Sequence, residues 1–201
     1  MQLYGLTGGT GSGKSEAGKR FAERGIPVID ADKVGHELLE PGGGAEDAVL
    51  DAFGPAILAN DAIDRTRLAE VVFRDGDALG RLNAIVHPAL MRVVAERCAS
   101  LAGEGHPAAI IDAALLAEGG ARESWLNGLI VVVCPLAERI RRLVENIGIS
   151  AEMAQRRIDA QTPPESKVPL ADWVIENDGS LERLHEQVDA IVDAIRSVPS
   201  E

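Results

Sequence analysis

Aromatic residues are nearly missing from this chain: three Phe, two Trp and one Tyr among 201 residues. Any core must therefore be built from Ala, Val, Leu and Ile. Cysteine is as scarce. Cys98 and Cys134 stand far apart in apolar surroundings, which argues against a disulfide framework and reads as two small hydrophobes in a reducing compartment. Positive charge is in deficit, with 20 Lys and Arg against 32 Asp and Glu and a formal net charge of −12. Binding nucleic acid or an anionic membrane calls for a basic face, so neither partner is expected. A phosphorylated small molecule stays open, because a few well-placed cations can dominate a cleft. No apolar run approaches the roughly 20 residues of a membrane span, and no basic stretch followed by a long apolar run opens the chain. These absences predict a cytoplasmic protein. His36, His106 and His185 share no metal-ligand spacing.

The composition that remains, 46% hydrophobic and 26% charged, is that of a soluble globular chain. Its length suits one sizeable α/β domain over 1–201. Five short apolar runs, at 2–7, 26–29, 108–112, 129–134 and 173–176, read as buried parallel strands. Helical patterns alternate with them, which predicts a five-stranded parallel sheet covered on both faces, a three-layer α/β fold. Between the second and third runs there is no strand signal. Pro41-Gly42-Gly43-Gly44 breaks the chain, and helical spacing then runs through 45–53, 65–73 and 88–101. That length predicts a helical insertion, 33–106. Further helices are expected over 136–144, after a cap at Ser150, and after a cap at Ser180. The last few residues read as a loose tail.

The first strand leads into Gly5-Leu-Thr-Gly-Gly-Thr-Gly-Ser-Gly-Lys-Ser15, five glycines in eleven residues. Gly8-x-x-x-x-Gly13-Lys14-Ser15 is the phosphate-binding loop pattern, here in the strand–turn–helix context that the mechanism requires. Successive N–H groups of Gly9, Gly11, Ser12 and Gly13 can turn toward phosphate oxygens at the start of a helix that carries Glu16 in its first turn. Lys14 is expected to face β/γ-phosphate from solvent, and the Ser15 hydroxyl to hold Mg²⁺. The second strand ends in Val28-Ile29-Asp30-Ala31-Asp32. In open α/β sheets ligands bind beyond the carboxyl ends of strands. Asp32 can accept a proton from an acceptor hydroxyl, bind Mg²⁺ through water, or share with Asp30 the capping of the next helix. The third strand ends in Ile110-Ile111-Asp112, a Walker B form that suits a magnesium shell.

Six of the 20 Lys and Arg residues lie between Arg139 and Lys167. Arg139 and Arg142, three apart, share a helical face. They form either a lid, 136–167, that closes over transferring phosphates with Arg156 and Arg157, or a solvated charged face. Asn177, after the fifth strand, meets a nucleotide base or makes a turn with Asp178-Gly179. His87-Pro88 reads as a break between helices.

Together these residues resemble the dephospho-coenzyme A kinase family. The pieces that carry the resemblance are the loop at 5–15, Val28-Ile-Asp-Ala-Asp32, Glu40-Pro-Gly42, Leu82-Asn-Ala-Ile-Val-His-Pro88, Arg157-Ile158 with Gln161, and Ala171-Asp172 with Val174-Ile175 and Asn177. The resemblance implies a nucleoside-monophosphate-kinase-like core and ATP-dependent phosphorylation of the ribose 3′-hydroxyl of dephospho-CoA. It also implies a coenzyme A-binding role for the 33–106 insertion. Asp32 would receive the acceptor hydroxyl, and His87, Leu115, Leu116, Arg157 and Gln161 would lie toward the acceptor. Since the family's further arginine after the Arg-Leu pair is missing at Val144-Glu145-Asn146, either Arg139 or Arg142 would supply lid charge, or transfer would be slower than usual. ATP with Mg²⁺ and dephospho-CoA are the expected partners of a monomer or weak oligomer. The family pattern Asp-x-Pro-Leu-Leu-Phe-Glu is Asp112-Ala-Ala-Leu-Leu-Ala-Glu118 here, so an apolar wall is expected to be missing at Ala117. The runner-up is another nucleoside or nucleotide kinase. A GTP-dependent switch would carry an Asn-Lys pair, and the chain has none.

Overall fold

The computed structural model describes residues 1–118 and 120–198. In chain order the elements begin β1 (Gln2–Gly8), α1 (Lys14–Glu23), β2 (Val28–Asp30), α2 (Ala31–Glu37) and α3 (Glu46–Phe53). Next come β3 (Leu58–Ala59), β4 (Ala62–Ile63), α4 (Arg65–Arg74), α5 (Ala78–Gly103) and β5 (Ala108–Asp112). They close with β6 (Gly128–Val133), α6 (Leu136–Ile147), α7 (Ala151–Asp159), β7 (Trp173–Glu176) and α8 (Leu181–Ser197). The expected tail at 199–201 lies outside the described residues.

The five apolar runs form one sheet in the order β2-β5-β1-β6-β7. β1 pairs in parallel with β5 and with β6, and β6 in parallel with β7. Period-two alternation divides its side chains between two faces. Tyr4, Leu6, Ile110, Ile130, Val132 and Ile175 pack with Phe21 of α1 and with Leu184, Val188, Ile191, Val192 and Ile195 of α8. On the other face, Gly5 leaves room for Leu116, Leu126 and Leu129, whose methyls would lie 2.8–3.1 Å from any Cβ placed there. The inner strands β1, β5 and β6 carry no polar stripe, whereas on the edge strand β7 Val174 and Glu176 are exposed. Cys98 and Cys134 are buried free thiols, as expected. Burial pushes both thiols above their usual range, against which Arg142 and Arg139 act on Cys134.

By its internal contacts the chain divides into two compact units, 1–29 with 100–201, and 30–99. The second is mainly helical, around buried Val34, Leu38, Val49, Ile57, Leu68, Val72 and Val94. It also holds a hairpin that the apolar pattern does not announce: Leu58 pairs with Ile63 and Ala59 with Ala62. Asn60 and Asp61 turn it at φ of 52° and 59°, the left-handed pair that a two-residue turn requires. The expected break at His87-Pro88 is not there. Helix α5 runs through Pro88 as a single element of 26 residues. Proline frees the carbonyl four residues back, but Ala84, His87 and Pro88 are all exposed, so water can serve it.

Candidate active site

The chain leaves the carboxyl end of β1 at Gly8 and re-enters helix at Lys14. Gly11 and Gly13 have φ of 79° and 93°, a region that side chains resist. Gly13 is the N-cap of α1, and its carbonyl accepts from Glu16 N and Ala17 N at 3.0 and 3.1 Å. Two of the glycines have a further purpose. A Cβ on Gly9 would collide with the Arg139 guanidinium, and one on Gly13 with the Asn177 amide. The loop is bare where side chains from β6–α6 and from the end of β7 come down on it.

Arg139 lies on the buried side of α6, only 3% exposed. Its Nε donates to Thr10 O at 2.8 Å, while its Nη2 has no hydrogen-bond partner. Burial lowers its pKa, with Glu165 opposing, and among the described residues no carboxylate pairs with it. One helical turn on, Arg142 donates to Glu138 Oε1 at 3.0 Å, to Asn177 Oδ1 at 3.3 Å and to Asn177 O at 3.3 Å. Asn177 in turn donates from Nδ2 to Ser12 O at 2.7 Å. Its amide is thus committed to bracing the loop. The bond from Arg141, then, against burial, that from Arg142, hold the Glu138 carboxyl at about 2. Ser12 Oγ is buried and unpartnered like Arg139 Nη2. Leaving a buried donor unmet costs about 1–3 kcal/mol. Both atoms lie against the glycine loop, Ser12 Oγ beside Gly8 and Arg139 Nη2 beside Gly9.

Lys14 does not stand in solvent as expected. Its side chain is 15% exposed and forms an ion pair with Asp112, itself 9% exposed. The carboxylate at the end of β5 draws the ammonium down onto the sheet because β5 neighbours β1. Ser15 is exposed in the first turn of α1, and Glu16 pairs with Lys19 at 3.2 Å and lies 3.7 Å from His185. No group of three or more His, Cys, Asp or Glu fit to hold a metal occurs among the described residues. The hard oxygen donors of Ser15 and Asp112 nevertheless suit Mg²⁺, which takes one or two protein ligands and completes its shell with water and phosphate.

On the connection after β5, the two expected acceptor leucines point apart. Leu115 is 71% exposed and Leu116 only 7%, the latter turned beneath Gly5. Ala117 is no vacancy in an apolar wall: it is 3% exposed, at φ 59°, and its N–H donates to the Glu123 carboxylate at 3.1 Å. A ring cannot be set there without disturbing a buried, left-handed turn. Ala117→Phe should therefore cost about 1–3 kcal/mol. Ala117→Gly should gain about 0.5 kcal/mol, because relief of the left-handed penalty of roughly 1–2 kcal/mol exceeds the entropy cost of glycine, about 0.5–1 kcal/mol. Urea midpoints of the two variants check both signs.

Gln161 reaches the phosphate loop, its Oε1 accepting from Thr10 N at 2.7 Å, whereas Arg157 is exposed at the end of α7. Leu143, Ala154 and Ile158 form the small core that joins α6 to α7. Within the second unit, Asp30 and not Asp32 caps α2, accepting from Lys33 N at 2.8 Å. Asp32 lies in the first turn of that helix, and His87 is exposed on α5. Spacing gave no sign of Lys167, a buried cation bonded to the connection after β5. A single lysine in a proline-rich stretch has no periodicity to reveal it.

A family model described as dephospho-CoA kinase matches residues 2–183. The dephospho-CoA kinase of Thiobacillus denitrificans is 43% identical over 192 residues, 95% of this chain and 94% of that protein. Among solved structures, TT1252 from Thermus thermophilus aligns with a TM-score of 0.84 at 35% identity, covering 96% of this chain and 97% of the other. A dephospho-CoA kinase from Campylobacter jejuni aligns with a TM-score of 0.60 at 25% identity and the same coverage.

Proposed function

The chain belongs to the dephospho-CoA kinase family, and from that premise we propose how its residues divide the transfer of a phosphoryl group from ATP to the ribose 3′-hydroxyl of dephospho-CoA. The observation that carries the reading is the pair of buried, unpartnered donors, Ser12 Oγ and Arg139 Nη2, at the glycine loop. Oxygens of an ATP phosphate satisfy a hydroxyl and a guanidinium at once, and the charge-assisted bond to arginine is the stronger. The N–H groups of Gly9, Gly11, Gly13 and Lys14 cradle the phosphates, that of Ser12 being taken by Gly9 O at 3.0 Å, and the Lys14 ammonium leaves Asp112 in part to neutralise them. Transfer needs little covalent chemistry from the protein, so alignment and charge stabilisation supply most of the rate. Ser15 and Asp112 would hold Mg²⁺, which supplies charge neutralisation at the phosphate oxygens when bound.

Arg142, held by Glu138 and Asn177, stands one turn beyond Arg139 as the second lid cation of 136–167. Arg139 binds ATP from the same helix. Asn177 and Glu16 take part through the loop and the first turn of α1. Asp32, in the first turn of α2, orients the acceptor hydroxyl and takes its proton. Leu115, Arg157 and Gln161 lie toward the acceptor. Leu116 supports that connection from the core, and His87 belongs with the coenzyme A-binding role proposed for 33–106. No helix among the described residues is long and apolar enough to cross a membrane. The net charge of −12 argues against a nucleic-acid or anionic-membrane partner, in keeping with a cytoplasmic monomer or weak oligomer.

ADP release from ATP and Mg²⁺, measured over a panel of acceptors, tests the reading. Release should depend on dephospho-CoA, with coenzyme A as product. Faster turnover of a nucleoside or nucleoside monophosphate would favour the other kinases of this fold, and slow release indifferent to acceptor would favour a switch.

A further inference from the structure

Lys167 lies in the short 3-10 segment Pro164–Leu170 that follows α7, and it is 3% exposed. Its Nζ pairs with Glu118 Oε1 at 2.6 Å, donates to Ala114 O at 2.8 Å and approaches Thr7 Oγ1 at 3.5 Å. An ammonium has three protons, and here each has an acceptor. Thr7 is the last residue but one of β1, at the root of the phosphate loop, and its own hydroxyl donates to Ala114 O at 3.1 Å. Ala114 and Glu118 stand at the two ends of 114–118, the first stretch of the connection after β5. From the same stretch as Lys167, Thr162 donates to the second oxygen of Glu118, and Gln161 accepts from Thr10 N. Burial opposes ionisation of Glu118, but the bonds from Lys167 and Thr162 keep its carboxyl below the usual range.

Lys167 is buried while the Glu118 side chain keeps 34% exposure, so water screens the carboxylate and the desolvation of the ammonium offsets much of the attraction. Stability alone is therefore a weak reason for a lysine at this place. What the pair does achieve is geometric, because one cation fixes the root of the phosphate loop against both ends of the 114–118 stretch. We propose that Lys167 is a positioning residue for the transfer, setting the acceptor-side connection at a fixed distance from the loop that holds the phosphate donor. The proposal rests on the assignment of those two segments to donor and acceptor. A displacement of about 1 Å between reacting groups costs on the order of a hundredfold in rate, so loss of this tie should be read in turnover.

Three variants and their combination test it: Lys167→Met, Lys167→Arg, Glu118→Gln and the double variant Glu118→Gln/Lys167→Met. Steady-state kinetics would be measured with each substrate varied in turn, alongside a thermal melt to fix the folded fraction. Lys167→Met should lower kcat at least tenfold, or raise the KM for dephospho-CoA by a like factor, while the KM for ATP moves less than threefold. Lys167→Arg should recover to within about threefold of the parent. The double variant should be no worse than Lys167→Met, since the two side chains act as one unit. If Lys167→Met does not fold, Glu118→Gln carries the test, with kcat expected to fall at least fivefold at constant KM for ATP. Well-folded variants with kcat and both KM values within threefold of the parent would overturn the proposal, and so would losses that merely follow the folded fraction or that multiply in the double variant. Failure of the family reading would look different: the parent itself would prefer another acceptor.

Discussion

Asp32→Asn should lower kcat at least a hundredfold and leave the melting temperature close to that of the parent. The substitution keeps the size of the side chain and removes its charge and basicity. A positioned base is worth about 10²–10⁴ in rate, and each tenfold is about 1.4 kcal/mol of barrier. The competing explanation for an acidic residue at the start of α2, that it caps the helix, has been removed by the structure. The cap is Asp30, which bonds Lys33 N. Asp30→Ala is therefore the matched control. It should cost about 1 kcal/mol of stability and change turnover little, so the two neighbours should separate cleanly, one in kinetics and one in the melt. Retention of turnover in a folded Asp32→Asn variant would defeat the assignment.

Lys14→Met is expected to reduce turnover by two to three orders of magnitude, about 3–4 kcal/mol of transition-state stabilisation. From the sequence this residue appears free to be replaced without harm to the fold. Its ion pair with Asp112, both side chains largely buried, changes that expectation. Removal of one partner leaves a carboxylate in a poorly solvated place, which costs about 3–5 kcal/mol for a fully buried pair and less here, where water still reaches the edge. The variant should melt early as well as turn over slowly. The double variant Lys14→Met/Asp112→Asn should regain most of the stability, since no charge is left unmatched, and none of the turnover. Recovery of both together would mean that Lys14 is structural.

The residues that were legible are those whose backbone or period betrays them. Five apolar runs gave the sheet, and a glycine loop followed by Lys-Ser gave the phosphate site, because no other need explains that many glycines at one joint. Ser150 and Ser180 were readable as caps, and each accepts the expected backbone N–H. Spacing placed Arg139 and Arg142 on one face but could not say which was buried, since that depends on Thr10 and Asn177, distant in sequence. The hairpin at 58–63 escaped because two-residue strands leave no alternation to see, although Asn60-Asp61 carried a turn signal. A break is the expectation at Pro88 because an internal proline costs about 3 kcal/mol or more, and no local pattern shows that a 26-residue helix carries it. Lys14–Asp112 and Lys167–Glu118 are pairings across the fold, and no local pattern encodes them.

The bareness of Gly9 and Gly13 has a bearing on how this protein is altered, by an engineer or by descent. Those positions are empty because a guanidinium and an amide from elsewhere in the chain fill the space. The loop is therefore not a cassette. Grafted into a relative whose sixth helix lacks an arginine at the matching place, it would bring glycines with nothing above them and lose the floor of its phosphate site. A side chain admitted at Gly9 would in turn evict Arg139 before any nucleotide arrived, so loss of activity in such a variant would report a broken partnership within the protein and say little about the contact between backbone and phosphate. Loop and arginine work as one unit in this fold.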